Sequence, residues 1–472
     1  MNVVKPNPWY ALRPWHTNVA LATIGFAMVC FTRQLVSEFD HFTIGFSGTS
    51  SSHFVLYVAA LLVILIQPTN VDRYTFPIIL TVAIACRLVV LFPEPIFSSD
   101  VYRYAWDGVV QHAHISPYRY VPGDKVLTFL RSPNQDLFDN INRRDYARTI
   151  YPPVAQFFFY LITFISPAVT FMKLAMVLFE GLTVYGLVLL LRAMGARREW
   201  VLIYAWCPLC IWEFGSSGHV DAMVMAFVVF ALLFRYRDQP VLTGIFLGLA
   251  VFTKFYPLVL FPALYRRGDW KMPASLAAVA VISYAPYLSA GRLVFGFLGG
   301  YVQEEGIATG TRYFLLDFVQ HIPGLHALSN PAFFVFATFV MLCIVLWGWR
   351  TGCRQPGNTG AFLPPAFSLA FSMMLLFSPH YPWYVAWLIP FLVLMPNLTV
   401  LTYVGSLFYL CTTAMAVGYG PKQYLLNEYL YSSVLVALMV EFALRTVPVT
   451  QHWFQQALPC IDSRRANEET VS

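Results

Sequence analysis

Charged side chains are scarce in this sequence. They make up 11% of the 472 residues, whereas 58% are hydrophobic, and soluble domains carry about 25% charged residues. A water-soluble fold is excluded because that much apolar surface cannot be hidden. Apolar runs recur along the whole length, many of them near the roughly 20 residues that a helix needs to cross a bilayer. We therefore predict an all-α membrane protein, a single polytopic bundle of about 11–13 transmembrane helices over residues 1–472.

Several other signals are missing. The formal charge is +6, but the basic residues form no stripe that would bind nucleic acid. The sequence has no Walker or GxGxxG motif for a nucleotide. The eight cysteines are dispersed, and Cys207-Pro-Leu-Cys210 is interpreted as a pair of core cysteines. The N-terminal apolar run lacks a cleavage site, which favours a retained helix. We expect no cofactor and no metal requirement, although Asp100 with Asp221 is a candidate metal pair.

Long polar stretches are also few, and two interrupt the apolar runs, at 93–150 and 291–330. Lys and Arg residues in the short loops predict the orientation by the positive-inside rule. With a cytoplasmic N-terminus, both polar segments become extracytoplasmic loops, and residues 448–472 form a cytoplasmic tail. The candidate spans are 17–36, 53–67, 76–92, 169–191, 200–215, 219–234, 241–264, 272–290, 331–349, 362–378, 383–395, 397–416 and 428–446.

Two apolar stretches do not fit as simple spans. The stretch 151–166 has two prolines near its start and is too short to span the bilayer, so we predict a half-helix that enters from the outer face. Residues 241–264 contain Lys254 and Pro257 near the middle, and both flanks are basic. We predict two short helices that meet at Lys254, a break that indicates a binding site because it must line a cavity. The alternative is that Lys254 snorkels to the membrane interface.

The first polar loop contains the richest group of candidate residues. Asp100, Arg103 and Asp107 fall at i, i+3 and i+7, so a helix places them on one face. The alternative is an interfacial amphipathic helix with Asp100 as its N-cap. The aromatic residues of the same segment are Tyr102, Tyr104 and Trp106.

Two further turns carry candidate groups. Residues 218–221 bring a histidine and an aspartate to an outer junction, where the alternative is a structural turn. Residues 380–384 hold a histidine between aromatic residues, which an interfacial aromatic belt also explains. Arg312 lies in the second loop with Glu304 and Glu305, either as a site residue or as solvated charge. An outward cavity with carboxylates, cations and aromatic rings suits an anionic lipid headgroup joined to a sugar.

At these segments the chain resembles the GT-C superfamily of integral-membrane glycosyltransferases. Within it, the resemblance is to polyprenol-phosphate-mannose-dependent mannosyltransferases of the bacterial alpha-mannosyltransferase group, and more distantly to the first mannosyltransferase of GPI-anchor synthesis. The similar segments, in the family's order, are Ser99-Asp100-Val101-Tyr102-Arg103-Tyr104-Ala105-Trp106-Asp107-Gly108, Ser116-Pro117-Tyr118, Tyr151-Pro152-Pro153-Val154-Ala155-Gln156, Gly218-His219-Val220-Asp221-Ala222, Lys254-Phe255-Tyr256-Pro257 and His380-Tyr381-Pro382-Trp383-Tyr384.

The resemblance implies a GT-C fold with a large first extracytoplasmic loop that carries the catalytic aspartate. It also implies a lipid-phosphate donor that enters from the membrane. Asp100 matches the aspartate, Lys254 and His380 match positions near the donor phosphate, and His219 is a further match. The chain departs from the pattern at residues 112–115, where a glycine is usual. Acceptor choice therefore stays open.

The leading hypothesis is a glycosyltransferase of the bacterial plasma membrane. It moves a sugar, mannose by the resemblance, with inversion from a polyprenyl-phosphate carrier to an extracytoplasmic lipid or glycan acceptor. Asp100 takes the acceptor proton, and the expected phosphate ligands are Lys254, Arg103 and His380. The expected sugar or acceptor ligands are Asp107, His219, Asp221, Tyr102, Trp106 and Tyr384. The rival functions are a lipid-linked sugar flippase or transporter and a polysaccharide polymerase or ligase with a diphosphate-linked donor.

Overall fold

A computed structural model describes residues 14–38, 44–66, 72–304, 306, 313–354, 359–377, 381–417 and 423–446. Every regular element within those ranges is helical, so the predicted all-α class is confirmed. Six helical stretches are long and apolar enough to cross a membrane: Trp15–Glu38, Thr49–Ile66, Val169–Ala193, Lys271–Glu304, Asn330–Thr351 and Asn427–Thr446. The protein is a helical membrane bundle.

The α-helices vary widely in length, from three to 25 residues. The first ten are α1 (Pro14–Glu38), α2 (Ile44–Ile66), α3 (Thr75–Leu91), α4 (Asp100–His112), α5 (Thr128–Arg131), α6 (Gln135–Asp139), α7 (Pro153–Ile165), α8 (Val169–Ala193), α9 (Leu202–Ala205) and α10 (Pro208–Cys210). They are followed by α11 (Asp221–Tyr236), α12 (Pro240–Thr253), α13 (Phe261–Leu264), α14 (Lys271–Tyr284), α15 (Leu298–Glu304), α16 (Phe314–Gln320), α17 (Asn330–Arg354), α18 (Leu363–Phe377), α19 (Pro382–Val385), α20 (Ile389–Leu394), α21 (Leu398–Val417) and α22 (Gln423–Thr446).

The centre of the bundle is the segment 199–235, nearly all of which is buried. Trp206 donates its indole N–H to the carbonyl of Ile79 in α3 at 2.8 Å. Trp212 packs edge-on against Phe97, with ring centroids 5.8 Å apart. These contacts attach the centre both to α3 and to the segment that leads into α4.

Two predicted spans, 200–215 and 383–395, are not single helices. The first consists of a 3-10 turn, α9, α10 and a π-helical turn over Ile211–Ser216, and the second of α19, a 3-10 turn and α20. Proline begins α10 and α19 and lies in the first turn of α20. Because proline has no N–H to continue a helical ladder, each of these prolines starts a new piece.

The break predicted at Lys254 is confirmed. The residue follows α12 with an extended backbone, φ −158° and ψ 132°, and the chain returns through a 3-10 turn and α13. At the opposite end of α12, where α11 and α12 form a hairpin, Arg235 donates to the Leu264 carbonyl at 2.7 Å, and Arg266 pairs with Asp238. A helix of 14 residues, the length of α12, puts that end about 21 Å from Lys254. The two basic flanks lie side by side.

The segment 93–150 is largely folded and carries α4, α5 and α6. α4 packs against α6, α7 and α8 and is buried over most of its length, so an amphipathic helix lying on the bilayer surface is the wrong interpretation. Gly108 permits the close approach, because a Cβ there would lie 2.6 Å from the Phe159 carbonyl oxygen of α7. α7 has 13 residues, and its shortness agrees with the predicted half-helix.

Candidate active site

Asp100 is the first residue of α4; the N-cap position belongs to Ser99, which makes no side-chain capping bond, and the Asp100 backbone N–H donates to Ser98 Oγ at 3.2 Å. The interpretation of Asp100 as an N-cap is therefore wrong. Its carboxylate instead accepts hydrogen bonds from Asn142 Nδ2 at 2.6 Å and from the Tyr151 hydroxyl at 3.3 Å. The side chain is 20% exposed, so part of the carboxylate stays open to a ligand.

Asp100 lines a cavity of about 290 Å³, here called the cationic cavity. Among the described residues, its charged lining is one carboxylate and four cations: Asp100, Arg103, Arg143, Arg148 and Lys254. Its aromatic lining is Phe97, Tyr151, Tyr301, Tyr381, Trp383 and Tyr384. The structure therefore brings together the first loop, the hairpin break and the turn before α19, which are far apart in sequence.

Lys254 is held at the cavity wall by Asp221. Its Nζ lies 3.0 and 2.8 Å from the two carboxylate oxygens, and the Tyr256 hydroxyl donates to the same carboxylate at 3.0 Å. The ammonium also lies 4.3 Å from the ring centroid of Tyr384. Asp221 is fully buried, so Lys254 reaches inward, and the snorkelling interpretation is wrong.

Arg103 is oriented by buried partners. Its Nε donates to Asp107 at 2.8 Å and its Nη1 to the Ala147 carbonyl at 3.0 Å. The second oxygen of Asp107 accepts from Gln156 of α7 at 2.9 Å. Asp107 is 1% exposed and is not among the residues that line the cationic cavity. In this arrangement it fixes Arg103 and ties α4 to α7, and sugar binding by Asp107 stays a prediction.

Arg143 lies on the rim with an unusual backbone. Its φ is 53°, a left-handed conformation that is uncommon outside glycine and clusters at functional sites. Its Nε donates to Glu304 at 2.7 Å. Burial opposes the charged form of Arg143, but the Glu304 carboxylate outweighs burial and raises the pKa of the guanidinium above its usual range. Arg143 therefore remains a cation facing Asp100.

His219 lies behind Asp100 and not on the cavity surface. It is 1% exposed, its Nδ1 is 4.0 Å from Asp100 Oδ2, and its Nε2 is 3.3 Å from Glu213 Oε2. The ring stacks on Trp383 with centroids 4.1 Å apart. Glu213 was not predicted, although a carboxylate inside an apolar run is itself a signal of function.

Other predicted ligands lie elsewhere or outside the described ranges. Tyr102 bonds to Glu94 and does not line the cationic cavity. Trp106 is 1% exposed and packs on Phe138. Their roles as sugar ligands stay predictions. The residues outside the described ranges are His380, Glu305 and Arg312.

Several lining residues of the first loop were not predicted from the sequence. Asn142, Arg143 and Arg148 all line the cationic cavity. The available signal was charge placement, because basic residues in a loop predicted to be extracytoplasmic run against the positive-inside rule. Nothing local indicated Asn142, whose contact with Asp100 spans 42 residues.

The candidate metal pair, Asp100 and Asp221, has one member already engaged. Both oxygens of Asp221 accept hydrogen bonds from Lys254. Within the described ranges, no group of three or more His, Cys, Asp and Glu side chains is arranged to hold a metal ion. Independence from metal stays a prediction.

Comparison with known families gives one assignment. A family model described as alpha-(1->6)-mannopyranosyltransferase, N-terminal domain, matches residues 18–266, more than half of the chain. No curated protein and no solved structure matches. The matched region contains Asp100, Asp221 and Lys254, and the match confirms the resemblance to GT-C mannosyltransferases. The chain therefore belongs to the alpha-(1->6)-mannopyranosyltransferase family and is a glycosyltransferase.

Proposed function

We propose that this mannosyltransferase takes mannose from a polyprenyl-phosphate carrier and transfers it, with inversion, to a hydroxyl of an extracytoplasmic lipid or glycan acceptor. The observation that carries the proposal is the cationic cavity, in which the described lining residues include four cations and a single carboxylate, Asp100. A leaving phosphate needs positive charge and no proton donor, whereas an attacking hydroxyl needs a base. The cavity supplies both.

The size of the cavity supports a monophosphate donor. At about 290 Å³ it lies at the lower end of ligand pockets, which begin near about 300 Å³. A single hexose phosphate suits this space better than a diphosphate-linked oligosaccharide. Lys254, Arg143 and Arg148 supply charge for the phosphate oxygens, and the ring of Tyr384 offers a face to the sugar.

The reaction is one displacement at the anomeric carbon. Asp100 accepts the proton of the acceptor hydroxyl as its oxygen forms the new bond to C1. The bond from C1 to the phosphate oxygen breaks, and its electron pair leaves on the phosphate, next to the cations. Because one displacement inverts C1 and the family forms an alpha linkage, the donor sugar must be beta-linked to its phosphate.

The hairpin geometry supports an extracytoplasmic site. Lys254 lies at one end of the α11–α12 hairpin, and the Arg235, Arg266 and Asp238 cluster at the other, about 21 Å away along α12. Clustered arginines favour the cytoplasmic side. The cavity then opens on the opposite, extracytoplasmic side.

The test is transfer by purified protein in proteoliposomes, supplied in parallel with polyprenyl-phosphate mannose, a polyprenyl-diphosphate oligosaccharide and a nucleotide mannose. We expect a new alpha-mannoside from the first donor alone. A product from the diphosphate donor alone would favour the polymerase or ligase. Donor lipid that crosses the bilayer without any glycosidic product would favour the flippase.

A further inference from the structure

A second cavity, of about 900 Å³, shares the segment 97–99 with the cationic cavity. Its other walls come from residues 94–96, from Tyr102 of α4, from residues in and around α6, and from residues 166–170, which connect α7 to α8 and begin α8. It is here called the acidic cavity. Its volume falls within the range of about 300–1,000 Å³ that is common for ligand sites.

The two cavities carry opposite charge. The described residues that line the acidic cavity include Glu94 and Asp136 but no lysine or arginine. Its amide lining is Asn134, Gln135 and Asn140. Two carboxylates disfavour a phosphate nearby, whereas carboxylates and amides are good partners for sugar hydroxyls. The lining therefore suits an uncharged, hydroxyl-rich ligand.

Asp100 lines the cationic cavity and directly follows the segment that both cavities share. Ser99, next to it in the chain, lines both. In the next turn of α4, Tyr102 lines the acidic cavity and Arg103 the cationic one, because successive helical residues point about 100° apart. A single displacement requires the acceptor and the leaving phosphate on opposite sides of C1. Separate cavities that meet at the residue before the base suit that arrangement.

We infer that the acidic cavity binds the acceptor, and that the acceptor is an uncharged polyhydroxyl chain with no phosphate close to its reacting hydroxyl. This assignment rests on the proposed function, since it takes Asp100 as the base. A hydroxyl held in the acidic cavity reaches Asp100 past Ser99. The donor phosphate is meanwhile confined to the cationic cavity.

The test measures binding without donor, so it stands even if the donor assignment fails. The probes are methyl mannobioside and the same disaccharide with a phosphate monoester at its reducing end, titrated calorimetrically. We expect the neutral sugar to bind at least tenfold more tightly. Thr170→Trp, which fills the cavity from α8, and Asp136→Lys should each weaken its binding about tenfold, while Asp145→Lys, at an exposed loop position that lines neither cavity, should not.

Equal binding of the two probes, or variants at Thr170 and Asp136 that bind like wild type, would overturn the assignment. Polyprenyl-phosphate binding should stay unchanged in all three variants. If the acceptor probe binds as expected but the enzyme transfers no sugar from a polyprenyl-phosphate donor, the proposed donor is wrong and the acceptor site stands.

An independent observation concerns Glu213 and His219. Each is 1% exposed, yet Glu213 Oε2 and both ring nitrogens of His219 have no hydrogen-bond partner. Buried polar atoms nearly always have one. The unsatisfied atoms lie close together, with 3.3 Å between Nε2 and Oε2, and Nδ1 on the other side of the ring lies 4.0 Å from Asp100 Oδ2.

The local fold holds this line of groups in place. Glu213 lies in the π-helical turn Ile211–Ser216, and such turns are frequent at functional sites. Gly218 has φ +69°, and a Cβ there would meet Lys173 and Val101 at 3.0 Å. The turn lets the His219 backbone N–H donate to the Glu213 carbonyl at 3.0 Å.

The charges around the pair favour a neutral Glu213. The charged groups that interact electrostatically with Glu213 are Asp221 and Asp100. Those that interact with His219 are Asp100, Asp221 and Lys254. Lys254 is already paired with Asp221. Asp100, at the far end, faces the Arg143 charge and the Tyr151 and Tyr104 hydroxyls. A fully buried carboxyl among acidic groups keeps its proton.

We further infer that Glu213 and His219 are positioning residues for the base. Glu213, as a neutral acid, donates to His219 Nε2, which fixes the ring proton on Nδ1, the nitrogen that faces Asp100. That N–H favours the anionic form of Asp100 before transfer. The acceptor proton goes to Asp100, and His219 stays neutral throughout. The 4.0 Å separation shortens when the substrates bind, as is common for catalytic contacts.

Glu213→Gln and Glu213→Leu separate this role from packing. Glutamine is a neutral donor of the same size, so kcat and the pH profile should stay close to wild type. Leucine removes the donor and leaves His219 Nε2 without a partner, but it adds no charge, and the backbone hydrogen bond from the His219 N–H to the carbonyl of residue 213 is kept, so the fold should survive. We expect kcat to fall about tenfold and the acid limb of kcat/KM to move to higher pH by roughly one unit, with donor KM unchanged.

Three results would contradict the inference. If Glu213→Gln loses activity like Glu213→Leu, a carboxylate is required and the neutral-donor role is wrong. If both variants keep the wild-type pH profile, the pair is structural. If Glu213→Leu changes donor KM and leaves the acid limb in place, the pair serves binding and not the base. Thermal unfolding of each variant confirms that the compared proteins are folded.

Discussion

Lys254 and Asp221 close the α11–α12 hairpin at its cavity end, with Nζ 3.0 and 2.8 Å from the two carboxylate oxygens. Asp221 is the first residue of α11 and is fully buried, while the Lys254 side chain is 17% exposed. The ammonium is therefore fixed by one anion and still accessible to another. A donor phosphate would meet a cation whose position is already set.

Removing Lys254 alone should damage stability as well as binding. Lys254→Met leaves Asp221 as an uncompensated buried charge, which costs about 3–5 kcal/mol. The double variant Lys254→Met/Asp221→Asn removes that charge and should recover most of the stability. Both should lose donor affinity by about 1.5–3 kcal/mol, the value of a hydrogen bond to a charged group.

Chemical denaturation and binding of polyprenyl-phosphate mannose measure the two effects separately. Wild-type donor affinity in the double variant would exclude Lys254 as a phosphate ligand. A single variant as stable as the double would show that Asp221 does not depend on Lys254.

The sequence predicted the Lys254 break because a lysine and a proline inside an apolar run have few structural explanations. It did not predict Asp221 as the partner, since the pair joins residues 33 positions apart. The sequence also predicted that Asp100 and Arg103 lie on one face of a helix, because that prediction needs only the local spacing of residues along a helix. That spacing does not reveal what surrounds a helix. α4 is buried on nearly all sides, so Asp107 and Trp106 share its regular pattern but lie away from the cationic cavity.

Orientation was inferred from charge alone, and accessibility labelling tests it. Single-cysteine reporters at Asp124 and Ala308 should react with an impermeant reagent from outside intact cells, and those at Arg197 and Arg267 only after permeabilisation. Ala308 lies outside the described ranges, so Asp124 is the stronger probe for the cavity side. Outside labelling at Arg197 would mean that α7 crosses the bilayer.

Transfer should not depend on a divalent metal. Lys254 occupies both oxygens of Asp221, and the cations that face Asp100 can neutralise the leaving phosphate themselves. Excess chelator should leave the rate of transfer from the lipid-phosphate donor unchanged. Loss of activity that is restored by added Mg²⁺ or Mn²⁺ would contradict this and reopen a metal role for Asp100.

Asp100→Asn is the decisive variant for the mechanism. The asparagine amide can accept from Asn142 and donate to Tyr151, the two partners of the native carboxylate. Since Asp100 makes no capping bond, the free energy of unfolding should change by no more than about 0.5 kcal/mol. The amide cannot take a proton at neutral pH, so transfer should fall by about 10²–10⁴-fold, the usual contribution of a general base.

Asp107→Asn is the matched control, because it makes the same change two turns along α4. It weakens the buried pair with Arg103, so it should lower stability and affect the rate less. Donor binding should be retained by Asp100→Asn, which separates chemistry from affinity. Asp100 is the one carboxylate among the described residues that line the cationic cavity. Near-normal transfer by Asp100→Asn in reconstituted protein would therefore show that Asp100 is not the base and that the reaction does not take place in this cavity.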